Sequence, residues 1–144
     1  MADHTLNPTP VASVPVDSLN KVFVLGNRID FSDIEPVSGD GYVFEQLPAN
    51  TYILRTFYIV RTQGSTTASF QIGIHDDSGY DNILGATPGA LNGTAGTVVT
   101  SSSLLAVVAA DSVSFMANKT EATAVIDVYM VCFKLDPQLK VLKN

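Results

Sequence analysis

Residues 51–74 read TYILRTFYIVRTQGSTTASFQIGI, and the two ends of this stretch carry different hydrophobic patterns. Toward its end Ala68, Phe70, Ile72 and Ile74 alternate with Thr67, Ser69, Gln71 and Gly73. A period of two is the mark of a half-buried strand, because successive side chains leave opposite faces of the backbone. The preceding segment has no clean side. Its odd positions hold Ile53, Arg55, Phe57, Ile59 and Arg61, and its even positions Tyr52, Leu54, Tyr58 and Val60. Such a segment predicts a strand that is central in a sandwich or covered by another subunit. The turn residues Gln63-Gly64-Ser65-Thr66 between them predict an antiparallel hairpin.

The rest of the chain repeats the β pattern. KVFVL, residues 21–25, is a short strand ended by Gly26-Asn27, and YVFEQL, 42–47, is a strand ended by Pro48-Ala49-Asn50. Residues 30–40, DFSDIEPVSGD, read as an acidic loop broken by Pro36 and Gly39. Within the glycine-, threonine- and serine-rich residues 86–103, TVVT (97–100) is a short strand. LLAVV (104–108) reads as a buried strand, with a short helix as the alternative. SVSFMA (112–117) alternates and buries Val113 and Phe115, and Asn118-Lys119-Thr120 turns the chain into a final strand over 123–135.

Eight or so strands without convincing helical spacing predict an all-β protein, an antiparallel β-sandwich. A jelly roll of about eight strands suits the unequal loops, and an extended N-terminal arm precedes it. The expected organisation is an arm over residues 1–18, a sandwich domain over 19–136 and a C-terminal tail over 137–144. The 144 residues suffice for one domain with its own core. Pro8, Pro10 and Pro15 bias the arm toward extended geometry, and Val11, Val14 and Val16 give it apolar groups to offer a partner. The arm and the acidic residues Asp30, Asp33 and Glu35 are the candidate partner contacts.

Composition narrows the function. The hydrophobic fraction of 46% fits a folded domain. A net charge of −6 without a basic stripe argues against direct nucleic-acid binding. A lone cysteine, Cys132, in the apolar run TAVIDVYMVCFKL excludes an internal disulfide and reads as a small buried hydrophobe. MADHTLNPTP carries no secretion-signal pattern, and no apolar run reaches the roughly 18 residues of a membrane helix. The expectation is a soluble protein made in a reducing compartment.

The candidate chemistry concentrates in FQIGIHDDSGYDNILGATPG, where His75, Asp76, Asp77 and Asp81 stand close together. Counted from Asp76 or Asp77, the twelfth position is Thr87 or Pro88, so the EF-hand pattern fails. The three aspartates could supply an irregular calcium site. A transition-metal site lacks ligands, since the only other histidine is His4. There is no Gly-x-Ser-x-Gly elbow, and no carboxylate pair is singled out for glycoside hydrolysis. Tyr42, Tyr52, Tyr58 and Tyr129 fall within strands and read as packing, which leaves Tyr80 alone in a loop. Asn92-Gly93-Thr94 and Asn118-Lys119-Thr120 read as polar turns, not glycosylation sites. HDDSGYDN is therefore a polar connection, and neither catalytic residues, a cofactor nor a metal is expected.

The order of segments is an extended arm, FEQLPANTYILRTFYIVRT, the TASFQIGI strand, an aspartate-glycine loop, a Gly/Thr/Ala stretch, ADSVSFMAN and EATAVIDVYMVC. It resembles the small β-sandwich virion proteins of tailed bacteriophages, in particular head decoration or cement proteins of jelly-roll type. The resemblance covers about residues 40–135. It implies a non-enzymatic virion protein made in the host cytoplasm and carried on the capsid exterior, binding the major capsid protein and stabilising the shell. It also implies a homo-oligomer, a dimer or trimer, with no membrane partner. Related sandwiches occur in phage tails and baseplates, so a tail-associated module that binds a glycan or host receptor is the alternative.

Overall fold

The computed structural model describes residues 3–5, 22–74, 81–85, 91–101 and 104–134. They form nine strands and one helical turn: β1 (Asp3–Thr5), β2 (Val22–Asp30), α1 (Phe31–Ile34), β3 (Gly41–Leu47), β4 (Thr51–Thr62), β5 (Phe70–Ile74), β6 (Val98–Ser101), β7 (Leu105–Val107), β8 (Asp111–Ala117) and β9 (Val125–Lys134). One sheet has the order β1-β3-β8-β5. The other has the order β2-β9-β4-β6, with β7 also pairing β4. All pairings are antiparallel except that of β1 with β3. The all-β, antiparallel sandwich expected from the pattern is present.

From β2 onward the chain alternates between the sheets, except that β6 and β7 follow one another in the same one: β2, β4, β6, β7 and β9 lie in the larger, and β3, β5 and β8 in the smaller. The expected hairpin between β4 and β5 therefore does not form. The two edges of β4 are taken by β9 and by β6 and β7. With one apolar side to bury, β5 faces β4 across the core instead, and the rings of Tyr58 and Phe70 meet edge to face at 5.4 Å. Phe115 touches Tyr42, Phe31, Phe44 and Phe70 at centroid separations of 5.2 to 6.0 Å. Each such buried ring contributes about 2–3 kcal/mol of hydrophobic stabilisation.

On β5 and β8 alternation picks the core side, but the strands are more than half-buried, since Gln71, Gly73 and Ser114 on the other side are buried as well. Ala68, Phe70, Ile72, Val113 and Phe115 are fully buried, and Ile74 packs against the core. On β4 the odd–even reading fails. Thr51 and Ile53 point inward, then Thr56, Tyr58 and Val60 do, because a bulge at Leu54 inserts one residue between the pairs Ile53/Cys132 and Arg55/Val131. Strand β2 also departs from expectation, since it continues through Gly26-Asn27 to Asp30. Asn27 turns inward and donates its Nδ2 hydrogen to Glu45 Oε2 on the facing sheet at 2.7 Å. A polar side chain with a partner across the core is compatible with a strand, which the dipeptide rule does not foresee.

The 30–40 segment is more ordered than a plain loop. Asp30 caps α1, accepting from Ser32 N at 2.9 Å, and Phe31 enters the core completely. LLAVV contributes the strand β7, not a helix. Ile83 and Leu84, which follow HDDSGYDN, and Leu91, in the glycine-, threonine- and serine-rich residues 86–103, are fully buried. Ile72 N donates to Leu84 O at 2.8 Å and Leu91 N to Ala68 O at 2.9 Å, which closes the free edge of β5. Part of the expected arm is a strand. In β1, His4 stacks on Tyr42 with ring centroids 4.6 Å apart and bonds Asp40 Oδ2 at 3.1 Å.

Candidate interaction surface

The five-stranded sheet turns one face to the core, and no described element packs against the other. Strand register places residues of this outer face in four rows. One row is Val22, Phe133, Tyr52 and Ala106, and the next is Val24, Val131 and Arg55. A third is Gly26, Tyr129, Phe57 and Thr100, and the last is Arg28, Asp127, Ile59 and Val98. The aromatic side chains pair across strands: Tyr52 with Phe133 at 5.1 Å and Phe57 with Tyr129 at 5.3 Å. Val22, Val24, Leu54 and Val98 are exposed, Val98 at 57%. The outer side of the smaller sheet is different: Gln71, Ser112 and Ser114 are short or polar, and it holds no arginine.

All three arginines of the chain lie on the larger sheet's outer face. Arg28 forks onto Asp127, Nε donating to Oδ1 at 2.6 Å and Nη2 to Oδ2 at 2.9 Å. Arg61 Nε approaches Oδ2 of the same carboxylate at 3.6 Å. The hydrogen bond from Arg28 to Asp127, then the charge itself, raises the Arg28 pKa above its ordinary value. Arg55 is exposed, with no ion-pair partner among the described residues. Three arginines against Asp127 and Asp30, which the alternation of β2 puts at the end of the same face, leave one formal positive charge there, on a chain whose net charge is −6.

A second buried carboxylate works on the backbone. Glu121 Oε1 accepts from Thr66 N and Oγ1, both at 2.9 Å. Its Oε2 accepts from Thr123 N at 2.7 Å, Ala124 N at 3.1 Å and Ser65 N at 3.3 Å. Burial pushes this carboxyl up, but the Thr123, Thr66 and Ala124 donors outweigh it and hold the pKa at about 2. Glu121 thus ties the turn after β4 to the turn before β9.

The expected site residues are dispersed. Asp30, Asp33 and Glu35 surround α1, where Asp30 is the N-cap and Glu35, at φ 47°, closes the helix by donating its N–H to Phe31 O. Asp33 and Glu35 are exposed. Pro8, Pro10, Val11, Val14, Pro15 and Val16 lie outside the described residues, as do His75, Asp76, Asp77 and Tyr80. Asp81 is described and exposed, and no group of three or more metal-ligating side chains occurs among the described residues. Cys132 is buried, and burial followed by the charge of Glu45 pushes its thiol up to about 12. Asp127 was not singled out by the sequence, although a lone carboxylate inside an apolar strand was a visible signal. Glu121 gave none, since its key partners Ser65 and Thr66 are more than fifty positions away.

No family model matches the chain, and no curated protein matches it. Solved structures do share its fold. A chain from the capsid of Ralstonia phage GP4 is 19% identical, with TM-score 0.60, over 88% of this chain and 93% of that one. A chain from the acid-stable capsid of Helicobacter pylori bacteriophage KHP30 is 13% identical, with TM-score 0.58, over 96% and 100%. A chain from the capsid asymmetric unit of cyanophage Pam1 is 17% identical, with TM-score 0.58, over 86% and 92%.

Proposed function

We propose that this chain is a structural virion protein of a tailed bacteriophage, a head decoration or cement protein with a jelly-roll sandwich. What supports the reading most is that capsid structures of three phages contain chains of this fold, matched along nearly the whole length of each. The alternation of successive strands between two sheets is the connectivity a jelly roll needs. The aromatic and arginine face, which no described element covers, gives such a protein a surface for a neighbour.

In this reading the protein sits on the capsid exterior and contacts the major capsid protein, as a dimer or trimer. It acts by mass action: a ligand that binds the assembled shell better than separated subunits stabilises the shell. Joined protomers on a repeating lattice add their weak contacts through effective concentration. The arm, with Pro8, Pro10, Val11, Val14, Pro15 and Val16, and the acidic turn, with Asp30, Asp33 and Glu35, are proposed as further contacts. Quantitative mass spectrometry of purified virions tests the role. Hundreds of copies per particle are expected, whereas a few or a few dozen would make it a tail component. Removal of residues 2–18 is expected to weaken shell binding, and unchanged binding would dismiss the arm.

A further inference from the structure

The outer face of the larger sheet is charged against the rest of the molecule. Arg28 and Arg61 share one carboxylate, Arg55 has none among the described residues, and aromatic rings lie between them. We infer that this face seats a carboxylate-bearing surface of the shell protein, with partner Asp or Glu side chains on Arg55 and on the open edges of Arg28 and Arg61. Apolar partner groups then cover Phe57 and Tyr129. The inference rests on the capsid-binding reading and adds the face and the chemistry of its partner.

Three observations carry it. Opposite charge steers and orients association, and a face with three arginines and a net positive charge on a chain of −6 selects an acidic partner. Arginine and aromatic side chains together are what the centre of a protein interface is enriched in, and here they alternate across neighbouring strands. Finally, Asp127 holds Arg28 by two of its donors, so the guanidinium is already oriented, while about half of each flanking side chain remains exposed, 51% for Arg28 and 55% for Arg61. A planar guanidinium so held offers its remaining donors in the fork that fits a carboxylate. A two-fold contact between identical faces would set arginines against arginines, which disfavours a second copy packed face to face. One net positive charge is also too little to carry a phosphate backbone.

The test uses the full chain and shells assembled from the accompanying major capsid protein. Wild type should co-sediment with shells, and more weakly as salt rises. Arg55→Glu should bind at least about ten-fold more weakly with an unchanged melting temperature, because Arg55 is exposed and has no ion-pair partner among the described residues. Lys119→Glu makes the same charge change at the turn before β9 and should bind as wild type does. A photo-reactive phenylalanine at position 57 should cross-link to an Asp- or Glu-bearing peptide of the shell protein. Equal binding by wild type and Arg55→Glu, an equal loss in Lys119→Glu, or cross-links only to a second copy would each overturn the inference. Wild type that fails to bind shells at all overturns the capsid-binding reading, and the partner named here with it.

Discussion

Glu121 and Asp127 stand six positions apart at the start of the last strand and are almost equally hidden, 1% and 4% exposed. Their partners are of opposite kinds. Glu121 is held by backbone N–H groups and hydroxyls of two turns, and Asp127 by two arginines that reach into solvent. Remove the first carboxylate and four backbone N–H groups, fixed in part-buried turns, lose their acceptor at once. Remove the second and its donors turn to water. Burial of the acid alone does not distinguish a residue that holds the fold from one that arranges a surface. The fate of its partners does.

The largest effect should follow from emptying the first site. Glu121→Ala removes the acceptor of four backbone N–H groups, that of Ala124 buried and the others part-buried, and should cost about 3 kcal/mol in urea unfolding. The same site sets an acid limit. Its folded pKa of about 2 lies below the ordinary 4.5, so its contribution is complete above about 4.5 and is lost as pH falls toward 2. The size follows from the shift, on the order of 3 kcal/mol. Glu121→Gln should flatten this part of the stability–pH curve. A variant curve that still falls as steeply between pH 4.5 and 2 would assign the acid sensitivity to other groups.

Gly64 probes the same site from the other side. A Cβ there would lie 2.7 Å from Glu121 Oε1 and 2.9 Å from the backbone oxygen of Leu91. The carboxylate is tied and the backbone oxygen accepts Gly64's own N–H, so neither yields easily. Gly64→Ala should therefore cost about 1–3 kcal/mol by the same measurement.

How far the sequence announced these features depended on the distance over which each is determined. Strand β4 was legible to the residue at both ends, and the buried sides of β5 and β8 followed from alternation, because a strand's own period is local information. Which strand lies beside which was not. Gln63-Gly64-Ser65-Thr66 has turn chemistry suited to a hairpin, yet the pairing of β4 with β9 decided the outcome. The bulge at Leu54 likewise depends on the partner strand, so Phe57 and Ile59 changed sides relative to Ile53 without a local signal. Ile83, Leu84 and Leu91 were hidden among loop residues, and only the open edge of β5 gives them a place. Of the interaction surface, the apolar character of both sides of β4 and the positions of Arg55 and Arg61 were visible. That Arg28 joins them required β2 to run past Gly26-Asn27.

Asp127→Asn should have a smaller consequence than either change at the first site. The arginines it releases are half exposed and rehydrate, so the expected loss is about 1 kcal/mol or less. A loss near that of Glu121→Ala would break the distinction between the two carboxylates, since it would mean that Arg28 and Arg61 are structural.

Tyr58 supplies the case in which a buried polar group has neither kind of partner. Its ring is wholly buried against Phe70, and its hydroxyl has no hydrogen-bond partner among the described residues. Burial pushes that hydroxyl's pKa up to about 12, as expected where nothing stabilises the phenolate. An unpaired buried hydroxyl opposes folding, so removing it should relieve a cost without opening a cavity larger than one atom. Tyr58→Phe is accordingly expected to be neutral or to stabilise by up to about 1 kcal/mol, the reverse in sign of every change at Glu121 and Asp127. The measurement is the same urea midpoint. A destabilisation of 1 kcal/mol or more would show that the hydroxyl has an acceptor after all, and would place Tyr58 with Glu121 among the polar groups that hold the fold.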